Sequence, residues 1–143
     1  MQAKRVIKKK KIYGRDNMKK TLLVVDDSPD ITLTIKGLLE EESGDYEVVV
    51  AESGEECLEI LGKDFTPDAI LLDIMLPGID GLETYEKIRE NDKWSNIPIL
   101  FLTARTDQFT VGQGRFLGDD FIEKPFEIDD VKVRIERAIE RHA

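Results

Sequence analysis

Five polar side chains stand just after short apolar runs, and their types suit the transfer of a phosphoryl group. Asp26 and Asp27 follow the run at 22–25, Asp73 follows 69–72, Thr103 follows 97–102, and Lys124 lies just past 121–122. Three carboxylates brought together repel unless a cation neutralises them or one keeps its proton. A hard, octahedral Mg²⁺, held through one or two carboxylates with waters and phosphate oxygens, resolves that repulsion. Mn²⁺ accepts the same oxygen ligands. Lys124 supplies a mobile point charge that can pair with Asp73 at rest and with phosphoryl oxygens afterwards, and the Thr103 hydroxyl can donate to one of those oxygens. A carboxylate acts as phosphoryl acceptor at neutral pH without a general base, so Asp73 is the candidate nucleophile.

Each residue has a plainer reading alone. An Asp pair after a strand suits a helix N-cap, and an Asp ahead of Pro and Gly suits a turn. Thr103 reads equally as a strand end and Lys124 as a solvated surface residue. The chemical reading rests on their coincidence at four strand ends.

Those ends need elements to carry them. The runs at 22–25, 47–50, 69–72, 97–102 and 121–122 read as five strands, mostly continuous apolar stretches of the kind buried on both faces. Ile31, Ile35, Leu38 and Leu39 form one face of a helix opened by the cap-like Ser28-Pro29-Asp30. Leu82, Tyr85 and Ile88 make a second stripe, and Ile128, Val131, Ile135, Ala138 and Ile139 make the last. Alternating strands and helices imply a parallel sheet covered on both faces. Right-handed crossovers favour the flavodoxin-like α/β/α arrangement, a five-stranded sheet in the order 2-1-3-4-5 with its switch point between strands 1 and 3. All five polar residues then gather at the carboxyl edge of the sheet. A helix is also needed between Thr103 and Asp119, but Gly112, Gly114 and Gly118 predict a short or frayed one.

The chain has 143 residues, room for one hydrophobic core. Its 36% charged and 41% hydrophobic residues describe a globular, highly charged protein. Residues 1–20 carry a net charge of +8 and the remainder −17, which argues against nucleic-acid binding by the core. Residues 1–20 read as a basic tail, of which 1–17 are a solvated tail, an upstream-start artefact or a binding arm, and 21–143 as the folded domain. No run approaches the roughly 20 apolar residues of a membrane span and no secretory segment stands out, so cytoplasmic residence is expected. Cys57 reads as a buried hydrophobe and His142 as a solvated end.

Taken jointly, Leu23-Val24-Val25-Asp26-Asp27-Ser28, Ile70 to Gly81 with its Asp73-Ile74-Met75-Leu76-Pro77-Gly78, Phe101-Leu102-Thr103-Ala104, and Asp119 to Phe126 with its Lys124-Pro125 resemble the response-regulator receiver domain, the CheY-like superfamily of two-component signalling. The resemblance runs from about Lys20 to about Arg141. It implies Asp73 as phosphoacceptor, Asp27 and Asp73 as direct Mg²⁺ ligands, Asp26 as a ligand through water, and the Met75 backbone carbonyl as the remaining protein ligand. Thr103 and Lys124 match the pair that reads the phosphoryl group, and Phe121 the aromatic whose rotamer couples the site to an output face. Phe121 stands where Tyr is common, which removes a hydroxyl hydrogen bond. The stretch 105–118 is about one residue shorter than the family pattern. The resemblance also implies a cis Lys124–Pro125 bond.

The expected function is therefore a phosphorylation switch, not an enzyme of small-molecule turnover. A sensor histidine kinase or phosphotransfer protein would be the donor and another protein the target, with the chain a monomer or a weak phosphorylation-dependent dimer. With only a final helix after Lys124, it reads as a stand-alone regulator; a receiver segment of a larger regulator or hybrid kinase is the sibling reading. Aspartyl-phosphate hydrolases of the haloacid dehalogenase type resemble Asp-x-Asp at the nucleophile, whereas here Met75 follows two after Asp73. A flavodoxin would need a phosphate-cradling loop where the acidic Asp26-Asp27 pair stands.

Overall fold

Period-2 alternation within continuous apolar runs lets one strand feed two cores, and this organises the molecule. The computed structural model describes residues 19–104 and 119–142. Its strands are β1 (Lys20–Val25), β2 (Tyr46–Ala51), β3 (Ala69–Asp73), β4 (Ile99–Thr103) and β5 (Asp120–Glu123), and its α-helices are α1 (Pro29–Gly37), α2 (Gly54–Leu61), α3 (Gly81–Glu90) and α4 (Ile128–Arg141). The five strands pair in parallel in the order β2-β1-β3-β4-β5. This is the flavodoxin-like order expected. The predicted short helix between Thr103 and Asp119 falls on 105–118, and this stretch, residues 1–18 with most of the basic head, and residue 143 lie outside the described residues.

Alternate strand residues sort to opposite faces. Leu22, Val24, Leu71, Leu100, Leu102 and Ile122 pack with Ile35 and Leu39 on one side and with Val131, Ile135 and Ala138 of α4. Leu23, Val25, Ile70, Leu72, Ile99 and Phe101 pack on the other face with Cys57 and Leu61 of α2 and Tyr85 and Ile88 of α3. Cys57 is fully buried as expected, and burial pushes its thiol up to about 12, leaving it a poor nucleophile.

Element boundaries differ from expectation where backbone hydrogen bonding decides them. β1 begins at Lys20, inside the stretch read as tail, because Lys20 pairs with Tyr46. β4 starts at Ile99 rather than Ile97, since Pro98 has no N–H to donate; its carbonyl instead accepts from Ile70. Ser28 precedes α1 without a side-chain cap bond. The helix containing Leu38 and Leu39 widens into a π turn over Leu38–Ser43 before Gly44 ends it at φ 75°.

The β2 edge of the sheet is capped by side chains at Val48. Glu40 accepts from the Val48 N–H at 2.8 Å, and Lys36, itself 2.9 Å from Glu40, donates to the Val48 carbonyl at 2.7 Å. The Val48 N–H and carbonyl, which could otherwise help template another strand, are thereby occupied.

Candidate functional site

Parallel pairing places the ends of β1, β3, β4 and β5 at one edge, and the predicted residues arrive there from four segments. Asp26 and Asp73 are buried and Asp27 is exposed. One carboxylate oxygen from each of the three lies within 4.8 Å of the others. Lys124 reaches across to two of them, with Nζ 2.8 Å from Asp26 Oδ2 and 3.4 Å from Asp73 Oδ2. Lys124 therefore pairs with Asp73 as expected, and more closely with Asp26.

Local backbone bonds hold the carboxylates in place. The Ser28 N–H donates to Asp26 Oδ1 at 2.9 Å, and the Met75 N–H donates to Asp73 Oδ1 at 3.2 Å. Met75 thus folds back over the acid while its side chain stays 57% exposed at the mouth of the site. The Lys124 N–H donates to the Thr103 carbonyl at 2.7 Å, which fixes the lysine beside the threonine. The buried Thr103 hydroxyl donates to the Ala104 carbonyl at 3.2 Å. Phe121 lies off the site, half-buried and stacked on Phe101 with ring centroids 5.8 Å apart. The Lys124–Pro125 peptide is cis, as expected.

Electrostatics follow from this packing. Burial and the Asp26 charge push the Asp73 carboxyl up to about 6, against the Lys124 charge and the Met75 and Lys124 hydrogen bonds that lower it. Burial alone would lower the Lys124 ammonium, but its bonds and charge attraction to Asp26 and Asp73 outweigh that and raise it. The donor set is all oxygen, two parts buried and one part open to solvent, with more negative charge than one lysine balances. That set fits a hard divalent cation such as Mg²⁺.

Two features of the site were missed in the sequence, as was one contact at the opposite edge of the sheet. Gly81 opens α3 directly against the end of β3: a Cβ there would strike the Asp73 carbonyl oxygen and lie 2.7 Å from Ile74 Cα. Glu55, on α2, accepts from the Ile79 N–H at 3.1 Å in the loop after β3. The Gly-Leu pair at 81–82 could have signalled the first, but no spacing rule points to Glu55. His142, read as a solvated end, is exposed but its Nε2 lies 2.7 Å from Asp119 Oδ1. Among the described residues no helix is long and apolar enough to cross a membrane.

Comparison with known proteins agrees with this geometry. Residues 22–136 match the family model described as the response regulator receiver domain. The alkaline phosphatase synthesis transcriptional regulatory protein PhoP of Bacillus subtilis is 39% identical over 125 residues, which cover 87% of this chain and 50% of that protein. Histidine kinase P4 of Formosa agariphila is 33% identical over 123 residues, covering 85% of this chain and 9% of that protein. The crystal structure of the signal receiver domain of a signal transduction histidine kinase from Syntrophus aciditrophicus is 26% identical with a TM-score of 0.76, covering 85% of this chain and 91% of that one. The chain thus spans about half the length of the transcriptional regulators it matches and a small part of the kinase.

Proposed function

The chain belongs to the response regulator receiver domain family, and from that premise we propose that it accepts a phosphoryl group from a histidine kinase or phosphotransfer protein onto Asp73. The observation that carries the proposal is the buried Asp73 carboxylate, set among Asp26 and Asp27 and within reach of the Lys124 ammonium.

In the proposed reaction an Asp73 carboxylate oxygen attacks the phosphorus of a phosphohistidine. The O–P bond forms as the P–N bond breaks, and the electron pair leaves on the donor's imidazole nitrogen. Asp73 must be ionised to attack, and the Met75 N–H and the Lys124 ammonium both favour that form. Asp26, Asp27, Asp73 and the Met75 carbonyl would hold Mg²⁺, which supplies positive charge opposite the phosphoryl oxygens. Lys124 exchanges its contact with Asp73 for one with a phosphoryl oxygen while keeping Asp26 as an anchor. The Thr103 hydroxyl turns from the Ala104 carbonyl to donate to another oxygen. Phe121 follows by rotating on Phe101, which changes the β4–β5 side of the surface and so the proteins it binds.

The chain acts in this reading as a switch rather than as an enzyme of small-molecule turnover. Signalling through protein contacts of the receiver surface is the proposed output, and a full-length transcript decides between a stand-alone regulator and a receiver within a longer one. The hydrolase alternative predicts turnover of small phosphate monoesters.

Intact mass after incubation with acetyl phosphate tests the acceptor assignment. A Mg²⁺-dependent phosphoryl adduct is expected on the wild type and not on Asp73→Asn. An adduct of equal yield on both proteins overturns Asp73 as acceptor, and its absence from both overturns phosphorylation as the function.

A further inference from the structure

We infer that Glu55 is a positioning residue for the metal site, acting through the loop that carries Met75; the inference rests on the receiver reading above. That loop leaves β3 at Asp73 and enters α3 at Gly81, where the Gly81 N–H closes it by donating to the Ile74 carbonyl at 2.7 Å. Inside it lie Met75, whose carbonyl is the proposed backbone ligand, and Gly78, at φ 75°. The space a side chain would fill at Gly78 is taken by Glu55: a Cβ there would lie 2.6 Å from Oε2 and 3.1 Å from Oε1. The same Oε2 accepts from the Ile79 N–H at 3.1 Å.

The helix that carries Glu55 is itself seated on the loop. Ser53 accepts from the Glu56 N–H at 3.0 Å and Glu56 accepts from the Glu52 N–H at 2.7 Å, so the first turn of α2 is fixed at both of its ends. Gly54, next to Glu55, has no side chain, and a Cβ there would collide with the Thr84 hydroxyl and lie 2.7 Å from Ile79 Cγ1. A glycine at 54 lets α2 approach, a glycine at 78 leaves room for the carboxylate, and the carboxylate accepts from the peptide N–H that follows Gly78. These parts complement one another across two elements far apart in sequence.

The consequence falls on the metal site more than on the fold. Glu55 is exposed, so its hydrogen bond competes with water and adds little to global stability. Mg²⁺ demands near-ideal octahedral geometry, and a backbone carbonyl on an untethered loop must lose its freedom when the ion binds. Outer contacts that orient a ligand act on affinity in this way. The carboxylate tether removes part of that ordering cost before the ion arrives.

The test compares Glu55→Ala and Glu55→Gln with the wild-type chain for Mg²⁺ affinity by titration calorimetry, amide exchange at Ile79 without metal, thermal midpoint, and adduct formation with acetyl phosphate. Glu55→Ala should raise the Mg²⁺ Kd by about 3- to 10-fold and speed exchange at Ile79, with the midpoint within about 2 °C of wild type. Glu55→Gln keeps an oxygen acceptor and should recover most of the affinity. An unchanged Kd in Glu55→Ala, or a glutamine variant as weak as alanine, overturns the tether. If the wild type binds Mg²⁺ and takes the adduct while Glu55→Ala matches it throughout, the inference fails alone. A wild type that takes no adduct brings down the receiver reading, and the inference with it.

Discussion

Lys124 Nζ stands 2.8 Å from Asp26 and 3.4 Å from Asp73, so the cation of the site leans on Asp26 rather than on Asp73. The arrangement leaves Asp73 less neutralised than Asp26, and it puts the lysine in competition with any divalent ion for the same oxygens. Replacing Lys124 with Ala should therefore tighten Mg²⁺ binding at pH 8 by about threefold or more, because a like charge beside the ion is gone. Titration calorimetry checks this, and equal or weaker binding would contradict it. The same variant should push the Asp73 carboxyl above its wild-type position, since Lys124 is one of the groups that lowers it.

The Asp73 carboxyl, held at about 6 against an ordinary 3.8, carries a pH signature. Its folded-state value is raised, so the folded protein binds more protons than the unfolded chain between those values. Stability from this group is then greatest below about pH 4, declines as pH rises toward 6, and is level above that. In metal-free buffer, Asp73→Asn should remove this decline and stabilise the protein at pH 7 by about 1–3 kcal/mol. Urea denaturation across pH 4–7.5 with chelator present measures it; parallel pH curves for the two proteins would refute the assignment.

Gly81 is a steric requirement. With the Asp73 carbonyl oxygen and the Ile74 backbone in the place of a Cβ, Gly81→Ala must push α3 away from β3 or bend the strand. Backbone on both sides gives little room to yield, and a loss of about 2–3 kcal/mol is expected in chemical denaturation. A loss below about 0.5 kcal/mol would mean that α3 is free to shift.

Much of this was legible in advance because it depends on local periodicity. Continuous apolar runs such as 22–25 and 69–72 can be satisfied only by a sheet covered on both faces, and the polar residues that end them must then share an edge. Cys57, flanked by helical apolar spacing, followed the same logic into the core. Phe121 was placed in the fifth strand correctly, but its stacking on Phe101 depends on the β4–β5 register, which no single run specifies. The start of β4 turned on the missing N–H of Pro98, a readable signal outweighed by the buried Ile97 before it. His142 looked solvated because its partner, Asp119, lies 23 residues away.

Hydrophobic period and residue identity are properties of short segments, so the fold class, the strand-end placement of Asp26, Asp27, Asp73, Thr103 and Lys124, and their chemical type can be read from the chain. The carboxylate that Lys124 favours, the meeting of Glu55 and Ile79 across 24 residues, and the role of Gly54 and Gly81 as contact points rather than turns come from packing between elements. Distances of a few tenths of an ångström between side chains from separate elements depend on how every layer packs at once. No local pattern encodes that sum.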